Sequence, residues 1–212
     1  VLLDVGEASV ATAVVCSPTA GAVVLGSTQT RGDVDIAQCT AAGLEICRRR
    51  SGGGAVVVRP EAQIWIDVFV PRLHGRFDDD VLASFGWLGA AWRSALLAVL
   101  GEPAGSLEVV ERGATVSTRW SRAICFAGLG AGEVTLGGRK IVGISQRRDR
   151  SGAWFHSMAL LDFDAGELPR LLGLAEGDQR EAAALLAMSV TPLPGGRDVA
   201  PAVTLAVLER LG

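Results

Sequence analysis

Lysine is almost missing from this 212-residue chain: of its 20 Lys and Arg residues, all are arginine except Lys140. Long apolar runs are missing as well. Although 49% of the residues are hydrophobic, no stretch approaches the ~20 consecutive apolar residues that a membrane helix requires. The apolar opening, Val1 to Val15, has no basic flank, which argues against a secretory leader. Charge is sparse, at 20% of residues with a formal net charge of −3; a general nucleic-acid binder and an intrinsically disordered chain are both disfavoured. The four cysteines, Cys16, Cys39, Cys47 and Cys125, show no CxxC spacing, so neither a zinc site nor a dense disulfide framework is expected. The sequence has no Gly-x-Ser-x-Gly elbow, no His-Glu-x-x-His and no Gly-Lys-Ser/Thr after a glycine loop. Their absence removes the commonest serine-hydrolase, zinc-protease and P-loop signatures. What remains is the expectation of a soluble, cytoplasmic globular protein without a metal site.

The apolar pattern is mixed. Val23–Leu25 and Leu44–Arg48 read as short strands around a helix at Asp33–Ala42. Ala55–Val58 and Ile64–Val70 read as a β pair, the second alternating Ile64, Ile66, Val68, Val70. Asp78–Asp80 is placed to cap a helix whose Leu82, Phe85, Leu88, Trp92, Leu96 and Val99 recur every three or four residues up to Gly101. Leu107–Arg112, Arg122–Phe126, Glu133–Leu136, Lys140–Gln146 and Ala153–Asp162 read as strands. Ala165–Leu172, Asp178–Met188 and Ala200–Leu211 read as helices. With no regular βαβ alternation, the pattern predicts a single α+β domain over residues 1–212.

Positive charge is clustered at Arg48, Arg49 and Arg50, and again at Arg139, Lys140, Arg147, Arg148 and Arg150. Such clusters attract an anion, though a cluster alone is more often a solvated face. The first cluster runs into Arg50-Ser51-Gly52-Gly53-Gly54-Ala55. Three successive glycines let a backbone approach a ligand closely and present its N–H groups; a flexible hairpin is the plainer alternative. Gly128-Leu-Gly-Ala-Gly132 imitates a dinucleotide fingerprint, but Glu133 stands where its third glycine belongs, and the nucleotide reading is rejected. In Gly137-Gly-Arg-Lys-Ile-Val-Gly-Ile-Ser-Gln-Arg-Arg148 a glycine turn sets Arg139 and Lys140 at a strand start. A lysine there can stabilise an oxyanion or a phosphate and, unlike arginine, can give up its proton when buried. Cys125 is a buried inert thiol or, beside Lys140 or Arg139, a nucleophile whose thiolate the cation favours. His156 is either its partner or a satisfied core histidine. Cys16, Cys39 and Cys47 are read as structural.

Arg49-Arg-Ser-Gly-Gly-Gly-Ala-Val56, followed by Gly138-Arg-Lys-Ile-Val-Gly143, resembles the lipoate–protein ligase and octanoyltransferase superfamily. Phe155-His-Ser-Met-Ala-Leu-Leu161 is similar to its His-Gly-Thr-Leu-Leu strand, and Val24-Leu-Gly-Ser-Thr-Gln29 to its Leu-Gly-x-x-Gln segment. The chain departs from the pattern at Val58-Arg59 and Ser157-Met158. The resemblance implies an α+β catalytic domain with a bent mixed or antiparallel sheet flanked by helices, like that of biotin ligases. It also implies attachment of lipoyl or octanoyl groups to a lysine of a lipoyl domain, with Lys140 catalytic. Arg50, Ser51, Gly52, Gly53, Gly54, Ala55, Arg139, Gly143, Ser145 and His156 would contact the acyl or acyl-adenylate group. Residues 165–212 are too few for the accessory domain usual in ligases, so none is expected at the C-terminus.

Three readings follow. In the first, Cys125 carries the acyl group as a thioester, Lys140 promotes the thiolate and accepts a proton, and N–H groups near Gly53, Gly54 and Lys140 hold the oxyanion. Val56, Val58 and Ile144 would pack on the acyl chain; no cofactor is needed, and the donor is an acyl-carrier or lipoyl-domain protein. In the second, a ligase uses free lipoate with ATP and Mg²⁺, Lys140 holds the adenylate, and Cys125 is idle. In the third, a non-catalytic module binds a lipoyl domain through its arginines. No nucleic acid or membrane partner is expected.

Overall fold

The computed structural model describes residues 10–101 and 106–212; the opening nine residues, part of the segment tested for a leader, lie outside the described set. Among the described residues, nine strands form two sheets. The larger is wholly antiparallel in the order β1-β5-β9-β8-β7-β6, comprising β1 (Thr12–Val15), β5 (Gln63–Pro71), β9 (Gly152–Leu160), β8 (Arg139–Arg148), β7 (Val134–Leu136) and β6 (Leu107–Val109). The smaller has the order β3-β2-β4: β2 (Ala22–Leu25) lies parallel to β3 (Glu45–Arg48) and antiparallel to β4 (Val56–Val58). This is the α+β fold that the sequence pattern predicts, with the antiparallel sheet flanked by helices that the resemblance implies.

Period-two alternation divides the large sheet into two working faces. Ile64, Ile66, Val68 and Val70 of β5 join Phe155 and Ala159 of β9 in a core closed by α2 (Gly86–Leu100) and α5 (Gly196–Leu211). The opposite face, carrying Trp65, His156 and Met158, looks into a cavity roofed by the small sheet. Helices α1 (Ile36–Ala41), α3 (Glu167–Leu171) and α4 (Glu176–Ser189) complete the second core around the small sheet, with Leu171 and Leu186 buried there.

Four expectations are adjusted. The α2 helix begins later than its acidic signal: the Asp80 carboxylate accepts from the Leu82 and Ala83 N–H groups at 2.9 and 3.2 Å, and that cap starts one 3₁₀ turn before Gly86. Ala83–Leu100 is, by length and composition, apolar enough to cross a membrane, which the sequence reading did not expect of any stretch. In this fold its Leu88, Trp92, Ala95 and Leu96 are core residues. Strand β1, paired with β5, was not expected. Arg122–Phe126 is not a strand: Ala123 and Ile124 donate back to the Trp120 carbonyl, Ile124 makes one bridge to Ala55, and Cys125–Ala127 is a single 3₁₀ turn.

Candidate functional site

The glycine loop and the turn bearing Cys125 are built as one unit. Cys125 N–H donates to the Ala55 carbonyl at 2.9 Å, and Ala55 N–H to the Ala123 carbonyl at 2.8 Å. At Gly54 a side chain is impossible, since a Cβ would stand 2.4 Å from the Ile124 nitrogen. The same crowding holds at Gly26 at the end of β2, where a Cβ would be 1.7 Å from the Gly53 carbonyl oxygen. Gln29, buried, ties both segments together: its Oε1 accepts from Gly26 N–H at 2.9 Å and its Nε2 donates to the Ala123 carbonyl at 3.2 Å. Arg49 braces the loop from within, donating to Ser51 Oγ and to the carbonyls of Val24, Gly52 and Gly54. The triple glycine is therefore a fixed cradle and not a floppy hairpin. Among the described residues, the Gly53 and Gly54 N–H groups donate to no protein acceptor.

Lys140 sits behind this unit. Its Nζ donates to the Cys125 carbonyl at 3.1 Å and lies 2.7 Å from Glu133 Oε2, with the two side chains 2% and 5% exposed. The Phe126 ring centroid is 5.2 Å from the ammonium. Glu133 is itself fully engaged, Oε2 accepting from Gly130 N–H at 2.7 Å and Oε1 from Ile144 N–H at 3.2 Å. Buried charges persist only when paired and hydrogen-bonded, and this pair meets that condition.

In front lies a cavity of about 710 Å³ between the two sheets, within the usual range for small-molecule sites of roughly 300–1,000 Å³. Val24, Val56, Val58, Trp65, Ile144 and Met158 make it largely apolar. Cys125 opens onto it, its Sγ 4.0 Å from where a Cβ on Gly53 would stand. Gly143 leaves room for Phe126, whose ring would be 3.2 Å from a Cβ there. A polar row crosses the floor, with Asp67 opposite His156 and His156 opposite Ser145 in register. Ser145 Oγ then meets Ser51 Oγ at 3.1 Å. The cavity also receives Arg49, Cys16 and Cys47. The Cys16 thiol is pushed up to about 12, first by burial and then by the charge of Asp67.

The structure thus gathers Cys125, Gly143, Ser145 and His156 around one cavity, with Ser51 reaching its edge and Gly52, Gly53, Gly54 and Ala55 framing the Cys125 turn. Three expected contacts are placed differently. Lys140 neighbours the peptide carbonyl of Cys125, held by the buried Glu133, and does not line the cavity. Arg139 turns away and donates to the Ala187 and Val190 carbonyls, a basic cap on the C-terminus of α4. Arg50 is exposed, and its neighbour Arg49 does the bracing. Cys16 and Cys47, read as structural, line the cavity, whereas Cys39 is wholly buried. Sequence reading missed Glu133, which it used only to reject a nucleotide fingerprint; an acid seven residues before the lone lysine across a glycine turn was the available signal. It also missed Asp67. Among the described residues no group of three or more His, Cys, Asp or Glu side chains is assembled as a metal site.

Residues 6–199 match the family described as Lipoyl protein ligase A/B catalytic domain. The curated relatives include the octanoyltransferase LipM of Clostridioides difficile, 22% identical over 151 residues that make up 71% of this chain and 54% of that protein. LipM of Carboxydothermus hydrogenoformans is 26% identical, with 70% and 52% covered. The chain spans about half the length of these relatives. Among solved structures, the bi-partite lipoate protein ligase of Thermoplasma acidophilum superposes with a TM-score of 0.65 at 18% identity, covering 91% of this chain and 66% of that one. A lipoate-protein ligase A bound with ATP gives 0.63 at 19% identity, covering 91% and 68%. At such identities the structural likeness speaks for the fold, and the family match speaks for descent: this chain belongs to the lipoyl protein ligase A/B catalytic-domain family.

Proposed function

We propose that this domain moves an octanoyl or lipoyl group onto the acceptor lysine of a lipoyl domain through a thioester on Cys125. The observation that carries the reading is the position of the Cys125 thiol, where the rigid glycine cradle meets an apolar cavity. Burying the methylenes of an octanoyl chain against Val56, Val58, Trp65 and Met158 would contribute about 5 kcal/mol at ~0.8 kcal/mol per CH₂, whereas the Ile144 side chain, expected on the acyl chain, is taken up by the core under α2 and α5. The reacting carbonyl would then lie at Cys125, with the free N–H groups of Gly53 and Gly54 available to a tetrahedral oxyanion. Lys140 acts by position: its ammonium, anchored on Glu133, fixes the Cys125 carbonyl and with it the turn that aims the thiol. The arginines Arg48 and Arg50 beside the cradle suit an acidic donor or acceptor protein.

The test is an intact mass after mixing the protein with an octanoyl-carrier thioester in the absence of ATP. One octanoyl adduct that disappears in Cys125→Ala is the expected result. No adduct, with modification of a lipoyl domain only after lipoate, ATP and Mg²⁺ are added, would replace this reading by the ligase. Failure of both reactions would leave the binding module.

A further inference from the structure

The acyl cavity is longer than an octanoyl group. Its floor spans four neighbouring strands of the large sheet, from Gly143 and Ser145 on β8 across β9 and β5 to Val14 on β1. Three strand spacings of ~4.8 Å make that distance about 14 Å. The Cys125 turn stands at the β8 end, because Ser51 of the cradle meets Ser145 there and Phe126 packs over Gly143. Strand β2 of the roof runs the same way: it begins beside β1, to which residues 16–21 join it, and ends at Gly26, pressed on the Gly53 carbonyl. An octanoyl chain fixed at Cys125 has seven C–C bonds, each advancing ~1.3 Å in a staggered zigzag, and so reaches only ~9 Å. Beyond it lie Val14, Cys16, Pro18, Ala20 and Ala22, walls that octanoyl leaves uncovered. They are neutral and largely apolar. Burial and the charge of Asp67 keep the Cys16 thiol protonated, and His156, with both nitrogens buried, presents ring carbon to the cavity. Ser17, Thr19, Ala20 and Glu45 at the far end are exposed, so the cavity opens to solvent there, and among the described residues no side chain closes it.

We propose that the domain accepts linear acyl thioesters longer than octanoyl, a dodecanoyl chain spanning the cavity from Cys125 to the far opening and Ala22 giving its tail room; the inference rests on the Cys125 reading. A dodecanoyl chain has eleven C–C bonds and reaches ~14 Å, the span of the four floor strands. Its four extra methylenes lie where Ala22, Ala20 and Pro18 leave space between the sheets. Ala22 is the position that decides, since it is 9% exposed, sits on the roof strand β2 and lines the cavity with a single methyl group. The chemistry of the step is that of the shorter donor. The Cys125 sulfur bonds to the acyl carbon, the carbon–sulfur bond to the carrier breaks, and the carrier leaves as a thiol with the proton that Cys125 gives up.

The experiment compares octanoyl and dodecanoyl thioesters of one carrier protein, following Cys125 acylation in time by rapid quench and intact mass. The dodecanoyl donor should acylate the wild type at least as fast as the octanoyl donor. Ala22→Phe, which puts a ring into the far half, should lower the dodecanoyl rate at least tenfold more than the octanoyl rate. Ala20→Trp, on the exposed rim, should shift the ratio in the same direction and keeps the test standing where Ala22→Phe is unstable. Calorimetry on Cys125→Ala with the free acids removes the chemistry from the measurement. Four extra methylenes, each worth roughly fourfold in affinity when buried, should make dodecanoate bind at least tenfold more tightly than octanoate. An octanoyl adduct with slower dodecanoyl acylation overturns the inference and leaves the thioester mechanism standing. Equal loss of both rates in Ala22→Phe and Ala20→Trp overturns it too, since the tail then lies elsewhere. If neither donor acylates the wild type, the Cys125 reading falls, and dodecanoate binding no tighter than octanoate would then show separately that the far walls take no chain.

Discussion

Replacing Glu133 by glutamine tests whether the buried ion pair organises the site. The carboxylate holds three donors, the Lys140 ammonium, Gly130 N–H and Ile144 N–H, so it ties the loop before β7, strand β8 and, through Lys140, the Cys125 turn. Glutamine keeps the volume and one acceptor oxygen but removes the charge, leaving the buried Lys140 ammonium with neutral acceptors only, the Cys125 carbonyl among them. Orphaning one partner of a buried pair costs about 3–5 kcal/mol, whereas replacing both by neutral groups of similar size is often neutral. For a domain of ~5–15 kcal/mol total stability that is a large fraction. Urea unfolding of Glu133→Gln, Lys140→Met and the double variant measures it. Each single change should lose about 3–5 kcal/mol, and the double change clearly less than their sum, with coupling of at least ~2 kcal/mol. A single-variant loss below ~1 kcal/mol, or simple additivity, would refute the ion pair as an organising element.

The two adjacent arginines should separate cleanly. Arg49→Ala removes four braces of the glycine cradle and should cost about 2–4 kcal/mol and at least tenfold in acyl transfer, while Arg50→Ala should unfold like wild type in the same urea titration. Met158→Trp fills the cavity floor and should abolish transfer from an octanoyl thioester while sparing acetyl transfer; equal loss with both donors would show that Met158 does not line the acyl path. The raised Cys16 thiol has a definite sign: the folded form favours the protonated thiol, so its stabilising contribution is full below the ordinary value of 9.0 and is lost as pH rises toward about 12. Wild-type unfolding free energy should therefore fall more steeply between pH 9 and 11 than that of Cys16→Ala, and parallel curves would contradict the shift.

Much of the fold is legible in local pattern. The β5 alternation of Ile64, Ile66, Val68 and Val70 and the α2 face through Leu88, Trp92 and Leu96 report directly which side meets the core. The glycine cradle and Lys140 also announce themselves, by composition and by motif. Arg122–Phe126 misleads because an apolar run of strand length can be buried equally well by a turn; Gly54 pressed against Ile124 is a tertiary fact with no local signature. Arg139 and Lys140 are neighbours in sequence yet separate, one capping α4 and the other entering the interior, because successive residues leave a strand in opposite directions. The Asp67–His156 contact spans β5 and β9, and pairing register, invisible in a single sequence, creates it.

The lone lysine of an arginine-rich chain then has a physical reason. At 2% side-chain exposure, with Glu133 at 2.7 Å and a peptide carbonyl at 3.1 Å, the space behind Cys125 accepts a compact ammonium. A guanidinium is wider, planar, and brings five donors where three protons are to be matched. Lys140→Arg, conservative in charge, should therefore push against Phe126 and displace the Cys125 turn, costing about 1–3 kcal/mol through overpacking and most of the acyl-transfer activity. Urea unfolding together with the octanoyl-adduct assay checks this. If Lys140→Arg were as stable and as active as wild type, the site would require only a positive charge, and the argument that Lys140 works by holding the peptide of the nucleophile would fail.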